Sequence, residues 1–157
     1  MGGDPPDRNG PEAWRRAIHS FVRRFGLLED DRTPCGQPLP TSHAHALMEL
    51  LREPGLTQKD LAKRLGLTKS GSSRLLSRLE ATGRVVRRVD DADNRAKRVS
   101  LTDKGRALAQ KVEQASLLRF ASLIEGIPVA RRKTVLECLD LLSRATPDPV
   151  GGEGHEE

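Results

Sequence analysis

Residues 56–80, LTQKDLAKRLGLTKSGSSRLLSRLE, read as two short helices joined by a glycine turn. Thr57 is placed to accept a bond from the free amides of a first helical turn. Asp60, three residues on, completes an acidic variant of the capping box, and Leu61, Ala62 and Leu65 then form one apolar stripe. Gly66 is the expected stop of that helix. Thr68 is positioned to cap a second helix whose apolar residues are Leu75, Leu76 and Leu79. That leaves Lys69, Ser70, Ser72, Ser73, Arg74, Ser77 and Arg78 on other faces. Nearly every polar side chain of this second helix hydrogen-bonds or carries positive charge, as a recognition helix in a major groove requires. The plainer alternative for these residues alone is a solvated amphipathic pair in any helical domain.

The next segment bears on that choice. Val85–Val89, VVRRV, and Lys97–Leu101, KRVSL, are short runs rich in β-branched residues, separated by the polar turn sequence DDADNRA. They predict a two-stranded hairpin with a charged tip. Arg87, Arg88, Lys97 and Arg98 flank the tip, and Arg95 lies in it two residues after Asp93, whose carboxylate is placed to hold the guanidinium extended. A preorganised arginine on a hairpin tip suits the focused negative potential of a narrow minor groove. Alone, the hairpin reads as an ordinary surface turn; directly after a helix-turn-helix, it reads as a wing.

Residues 56–108 together resemble the winged helix-turn-helix core of the MarR (multiple antibiotic resistance regulator) transcription factors. The resemblance is carried by Arg78-Leu79-Glu80 at the end of the recognition helix and Gly83 before the first strand. Asp93-Asn94-Arg95 in the wing and Leu101-Thr102-Asp103-Lys104-Gly105 at the next helix complete it. It continues more weakly from about Trp14 to Arg144, where the flanking helices fit the family's dimerisation elements. Two residues depart from the pattern. Ser72 stands where the family usually has an apolar residue, and Gly71 costs about 1 kcal/mol of helix propensity relative to alanine. The recognition helix is therefore expected to be less rigid before DNA orders it.

Charge agrees with this reading independently. The chain has 157 residues, enough for one modest core, and a formal net charge of +5. Residues 57–106 hold 14 Lys and Arg against 6 Asp and Glu, a net of +8, whereas the remainder holds 13 against 16, a net of −3. Concentrated basic charge is what counterion release requires of a nucleic-acid face. No basic amphipathic helix with a bulky apolar face accompanies it, so a membrane surface is the poorer partner. The opening MGGDPPDRNG lacks the apolar core of a signal peptide, and no stretch approaches a membrane span, so a cytoplasmic location is expected.

The expected organisation is mainly α with a small β-hairpin wing, an α+β winged helix-turn-helix with flanking dimerisation helices. Residues 1–10 form a disordered N-terminus, 11–55 N-terminal helices for dimerisation and support, and 56–101 the DNA-binding core. Residues 102–146 form C-terminal dimerisation helices and 147–157 a disordered acidic tail. Trp14, Ala17, Ile18, Phe21, Val22 and Phe25 recur at helical spacing after Pro11, and a second helix from about Thr41 to Arg52 offers Ala44, Leu47, Leu50 and Leu51. A long helix from about Thr102 to Glu125 offers Leu108, Val112, Ala115 and Leu118, and the next offers Val135, Leu139 and Leu142, with Cys138 expected in the core. A small winged module needs fewer helices than these, so the surplus points to a second copy of the chain. A twofold dimer places two recognition helices about 34 to 36 Å apart on a pseudo-palindromic operator.

Candidate effector groups lie between the first two helices. Cys35, His43 and His45 offer thiolate and imidazole ligands for zinc, and His45 looks like the match to a ligand of zinc-responsive members of the resembled family. Those members add histidines after the wing, where this chain has none until His155, and at i and i+2 of a helix His43 and His45 point about 200° apart. Cys35 in its Pro-rich loop is also a candidate oxidant sensor. The resemblance further implies a small aromatic or phenolic ligand between the dimerisation helices and the winged domain. No cofactor is required. Catalytic motifs are missing: there is no nucleophile elbow, phosphate loop or HExxH, and SGSS at 70–73 lacks the preceding strand a nucleophile turn needs.

The expected function is therefore a homodimeric, sequence-specific regulator of double-stranded DNA, a repressor rather than an activator. Ser70, Ser72, Ser73, Ser77, Arg74 and Arg78 are directed to base edges and nearby phosphates, Thr68 and Lys69 to phosphate, and Arg95 to the minor groove with Asp93, Arg88 and Arg98 supporting it. The rival reading is a weakly specific architectural DNA-binding protein that uses the same charges without choosing a sequence.

Overall fold

A computed structural model describes residues 10–89 and 97–147. The order is α1 (Pro11–Phe25), α2 (Thr41–Arg52), α3 (Gln58–Arg64), α4 (Lys69–Ala81), β1 (Val85–Val89), β2 (Lys97–Leu101), α5 (Asp103–Glu125) and α6 (Val129–Ala145). Both strands end where the β-branched runs end. The hairpin tip with Asp93 and Arg95 lies outside the described residues, as do the two terminal stretches apart from Gly10 and Pro147.

One capping device starts three of the helices. The hydroxyl oxygens of Thr57, Thr68 and Thr102 accept from the amides of Asp60, Gly71 and Gly105 at 3.1, 3.1 and 3.0 Å, which satisfies one free donor in each first turn. The Asp60 carboxylate accepts from the Thr57 hydroxyl itself at 2.6 Å, tightening the same turn. Gly66 stops α3 as expected. Its φ of +60° suits glycine, and the next amide, of Leu67, closes back on the Ala62 carbonyl at 2.9 Å.

β1 and β2 pair antiparallel with Val85 opposite Leu101, Arg87 opposite Val99 and Val89 opposite Lys97. The hairpin is also held along β2 by a further short pairing, Thr57 against Arg98, in which the Val99 amide donates to the Leu56 carbonyl at 2.9 Å. The wing is thereby tied to the loop that precedes α3.

The core lies among α2, α3, α4, the base of the hairpin and the first half of α5. Leu47, Leu50, Leu61, Leu76, Leu79, Val85, Val99 and Val112 are almost wholly enclosed there. Sequence periodicity located the α2, α3 and α4 stripes correctly. It did not reveal where the outer helices turn theirs. Neither α1 nor α6 buries a residue within the chain, and Trp14, Ile18, Phe21, Leu118, Leu136 and Leu139 stand exposed. Cys138, expected in the core, is exposed on α6, because the stripe it belongs to faces away from the rest of the chain. Among the described residues no helix is long and apolar enough to cross a membrane.

Candidate nucleic-acid interface

The recognition helix α4 is fixed from behind. Leu75, Leu76 and Leu79 seat it in the core, and Thr68, Lys69, Ser70, Arg74, Ser77 and Arg78 remain exposed. Its outer face thus presents three cations and several hydroxyls on a rigid backing. Ser73 is half-buried at the edge of that face. Ser70 and Thr68 share a hydrogen bond at 3.2 Å across the first turn, close to the free amides that favour an anion.

Ser72 is corrected. It is 2 % exposed, and its hydroxyl donates to the Lys69 carbonyl at 3.0 Å within the helix. Position 72 lies three residues before Leu75 and seven before Leu79, on the packed face. Its hydroxyl is spent locally and does not reach a base edge. Gly71 sits in the first turn at the amide that Thr68 caps, so its propensity cost falls on a turn held by its cap.

The wing adds cations beside this face. Arg88 is exposed on β1. Arg98 is exposed on β2, yet one of its guanidinium nitrogens donates to the Gly55 carbonyl at 2.9 Å, so it braces the hairpin against the loop before α3. Arg87 is the residue that sequence reasoning left out of the site. From β1 it reaches back to α4, where its Nε donates to the Glu80 carboxylate at 3.0 Å and an Nη to the Ser77 hydroxyl at 3.3 Å. The Arg87 backbone amide also donates to Glu80 at 3.3 Å. The side-chain hydrogen bond from Arg87 holds the Glu80 carboxyl below its ordinary range. Strand alternation was the available signal, since Arg87 follows Val85 by two and shares its inward face.

A second ion-pair group fastens α3 to the scaffold. Arg64 meets Glu49 of α2 and Glu53 just after it, Glu49 also meets Arg52 at 3.1 Å, and Arg52 approaches Glu113 of α5 at 4.0 Å. These groups are partly exposed, so they orient α3 more than they stabilise it.

The candidate zinc ligands do not converge. His43 is buried on α2, and burial first, then the positive charges of Arg78 and Arg84, push its pKa down. His45 is exposed and turns instead toward a cavity of about 180 Å³ that Cys35 also lines. His43 thus faces other partners than His45 and Cys35, and among the described residues no group of three metal-ligating side chains occurs. The cavity lies between the end of α1, the following loop, α2 and α5. Its walls are Phe25, Leu27, Met48, Val112 and Phe120, with Thr41, His45, Ser116 and Arg119 as polar members. Cys35 is half-buried there, 3.1 Å from the Thr33 hydroxyl. The Thr41 hydroxyl is buried without a hydrogen-bond partner, and the Arg119 guanidinium stands 5.7 Å from the Phe25 ring centre.

Comparison with known proteins places this geometry. The profile of the MarR family matches residues 37–96. The HTH-type transcriptional regulator PetP of Rhodobacter capsulatus is 34 % identical over 133 residues, 82 % of this chain and 80 % of PetP. Among solved structures, Bordetella bronchiseptica BpsR, described as regulated in its DNA binding by 6-hydroxynicotinic acid, superposes with a TM-score of 0.70 at 23 % identity, covering 92 % of this chain and 100 % of BpsR. S. aureus MepR, solved in complex with DNA, superposes with a TM-score of 0.66 at 23 % identity, covering 86 % of this chain and 96 % of MepR. With the cap-turn-cap helix pair, the hairpin and a relative matched along four fifths of its length, the chain belongs to the MarR family of winged-helix transcriptional regulators, not to an enzyme family.

Proposed function

We propose that the protein is a cytoplasmic, homodimeric repressor that binds a pseudo-palindromic operator and is released from it by a small aromatic effector. The observation that carries the DNA-reading half is the exposed row Lys69, Ser70, Arg74, Ser77 and Arg78 on a helix packed from behind, with the cationic wing beside it. Arg74 and Arg78 are the base readers, Lys69 and Thr68 the phosphate contacts, and Arg88 anchors the wing on the DNA. The dimer is supported by α1 and α6, which carry broad apolar faces and bury nothing within one chain. A second copy supplies the missing cover and doubles the basic face.

The effector reading rests on the cavity beside Arg119. Its volume, about 180 Å³, suits one aromatic ring, since an apolar protein cavity of roughly 150 Å³ takes benzene. Arg119, His45 and the unpartnered Thr41 hydroxyl favour a ring bearing a carboxylate or phenolate. The ligand named for BpsR is of that kind.

Footprinting of the purified protein on its own upstream region tests this, repeated with benzoate-type acids, zinc, a chelator and peroxide. A protected pseudo-palindrome with half-sites one helical turn apart, lost on adding the aromatic acid, is the expected result. Diffuse protection that vanishes with modest salt supports the architectural reading instead. Release by zinc or peroxide alone would assign the signal to the chemistry of Cys35 and not to a bound ring.

A further inference from the structure

The ion pair between the recognition helix and the wing points to a role beyond contacting DNA. We infer that Arg87 is a positioning residue, which locks the wing to α4 so that both enter adjacent grooves as one body; the inference rests on the DNA-binding reading above. Three donors of one residue, the backbone amide, Nε and Nη2, converge on Glu80, and Nη2 also reaches Ser77 one turn earlier on α4. A guanidinium that grips two positions of a helix fixes angle as well as distance. The Arg87 side chain is 19 % exposed, and its Nε and Nη2 are both committed to α4. Beyond it on β1, Arg88 and Val89 are exposed, which makes Arg87 a brace nearer the tip than the buried Val85.

Glu80 makes the argument sharper. An acidic side chain within a segment of net charge +8 opposes binding to a polyanion by its charge alone. Its use here is geometric: paired with Arg87, it holds the wing without adding to the cationic surface. The two explanations predict opposite signs for its removal.

The test is operator affinity by fluorescence anisotropy, over a salt series, for the full-length protein and for Glu80→Gln, Arg88→Ala and the double variant. Charge alone predicts tighter binding by Glu80→Gln. Positioning predicts about tenfold weaker binding. It also predicts that Arg88→Ala costs less in the Glu80→Gln background than in the wild type, since a loose wing no longer delivers Arg88. Arg87→Lys keeps the charge and loses the two-position grip, so it should weaken binding similarly, and it serves where Glu80→Gln does not fold. Exchange of the pair, Glu80→Arg with Arg87→Glu, should recover much of the loss. Equal or tighter binding by Glu80→Gln, or strictly additive effects with Arg88→Ala, would overturn the role of Arg87. Failure of the wild type to protect a discrete site would sink the DNA-binding reading itself.

Discussion

The carbonyl of Arg84 occupies the space that a side chain at Gly105 would need: an added Cβ would stand 1.8 Å from its oxygen and 2.8 Å from its carbon. That carbonyl also accepts from the Thr102 amide at 3.1 Å and the Thr102 hydroxyl at 3.2 Å, so the start of α5 and the turn before β1 are interlocked. Leu-Thr-x-x-Gly is thus a joint: the threonine caps the helix and binds the turn, and the glycine lets the two backbones touch.

Gly105→Ala is expected to destabilise the protein by about 3 kcal/mol, because backbone on both sides must yield. Helix propensity alone predicts the opposite, a gain of about 1 kcal/mol. Urea denaturation followed by circular dichroism decides, and any stabilisation would refute the close approach.

Base choice should follow Arg74 and Arg78, not Ser72. Replacing either arginine with alanine is expected to relax preference at one base pair by about 1 to 3 kcal/mol. Ser72→Ala removes one buried donor and its intrahelical bond, so stability should shift by about 1 kcal/mol or less, with base preferences intact. Competition binding against single-base-pair variants of the operator separates these, and an altered base preference in Ser72→Ala would restore Ser72 to the reading face.

Acid should weaken the fold through His43. Its pKa is lowered from the ordinary 6.5, chiefly by burial, so the unfolded chain takes up a proton at a higher pH than the folded one does. Its contribution is fully present above 6.5 and is lost as pH falls from there toward the folded value. His43→Gln should flatten the loss of urea midpoint below pH 6.5, measured against the wild type. An equally steep loss in the variant would assign the acid sensitivity elsewhere.

Effector release should depend on Arg119. With Arg119→Gln, the concentration of aromatic acid needed to release operator DNA is expected to rise about tenfold, as loss of one charge-assisted contact implies. DNA affinity without effector should stay near wild type, because Arg119 lines a cavity to which no residue of α4 contributes. An unchanged effector concentration would exclude the cavity as the binding site.

These expectations show which features the sequence displays and which it hides. The caps Thr57 and Thr68, the stop at Gly66 and both strands were legible, because each is decided within a few residues by local hydrogen bonding and side-chain branching. Ser72 was misread because residue type and position disagreed: a serine stands where the helical period demands burial. Cys138 was misread because an apolar stripe reveals that a face is covered, not what covers it. Arg87 and Glu80, seven residues apart on different elements, meet only through the angle between helix and hairpin, and local pattern does not encode that angle. The divergence of His43 from His45 follows from their i, i+2 spacing on a helix, whereas the cavity that His45 and Cys35 both line is formed by elements distant in sequence.

The outermost helix has an optical consequence. The chain contains one tryptophan and no tyrosine, and that tryptophan, Trp14, is 53 % exposed on α1. Near-ultraviolet emission from the whole protein therefore reports on the surroundings of α1 and leaves the DNA-reading half dark. A blue shift on raising the protein concentration would register the covering of that face without any label. Titrating operator or effector into the same cuvette would then show whether events at α4 or in the ring pocket are felt along α1.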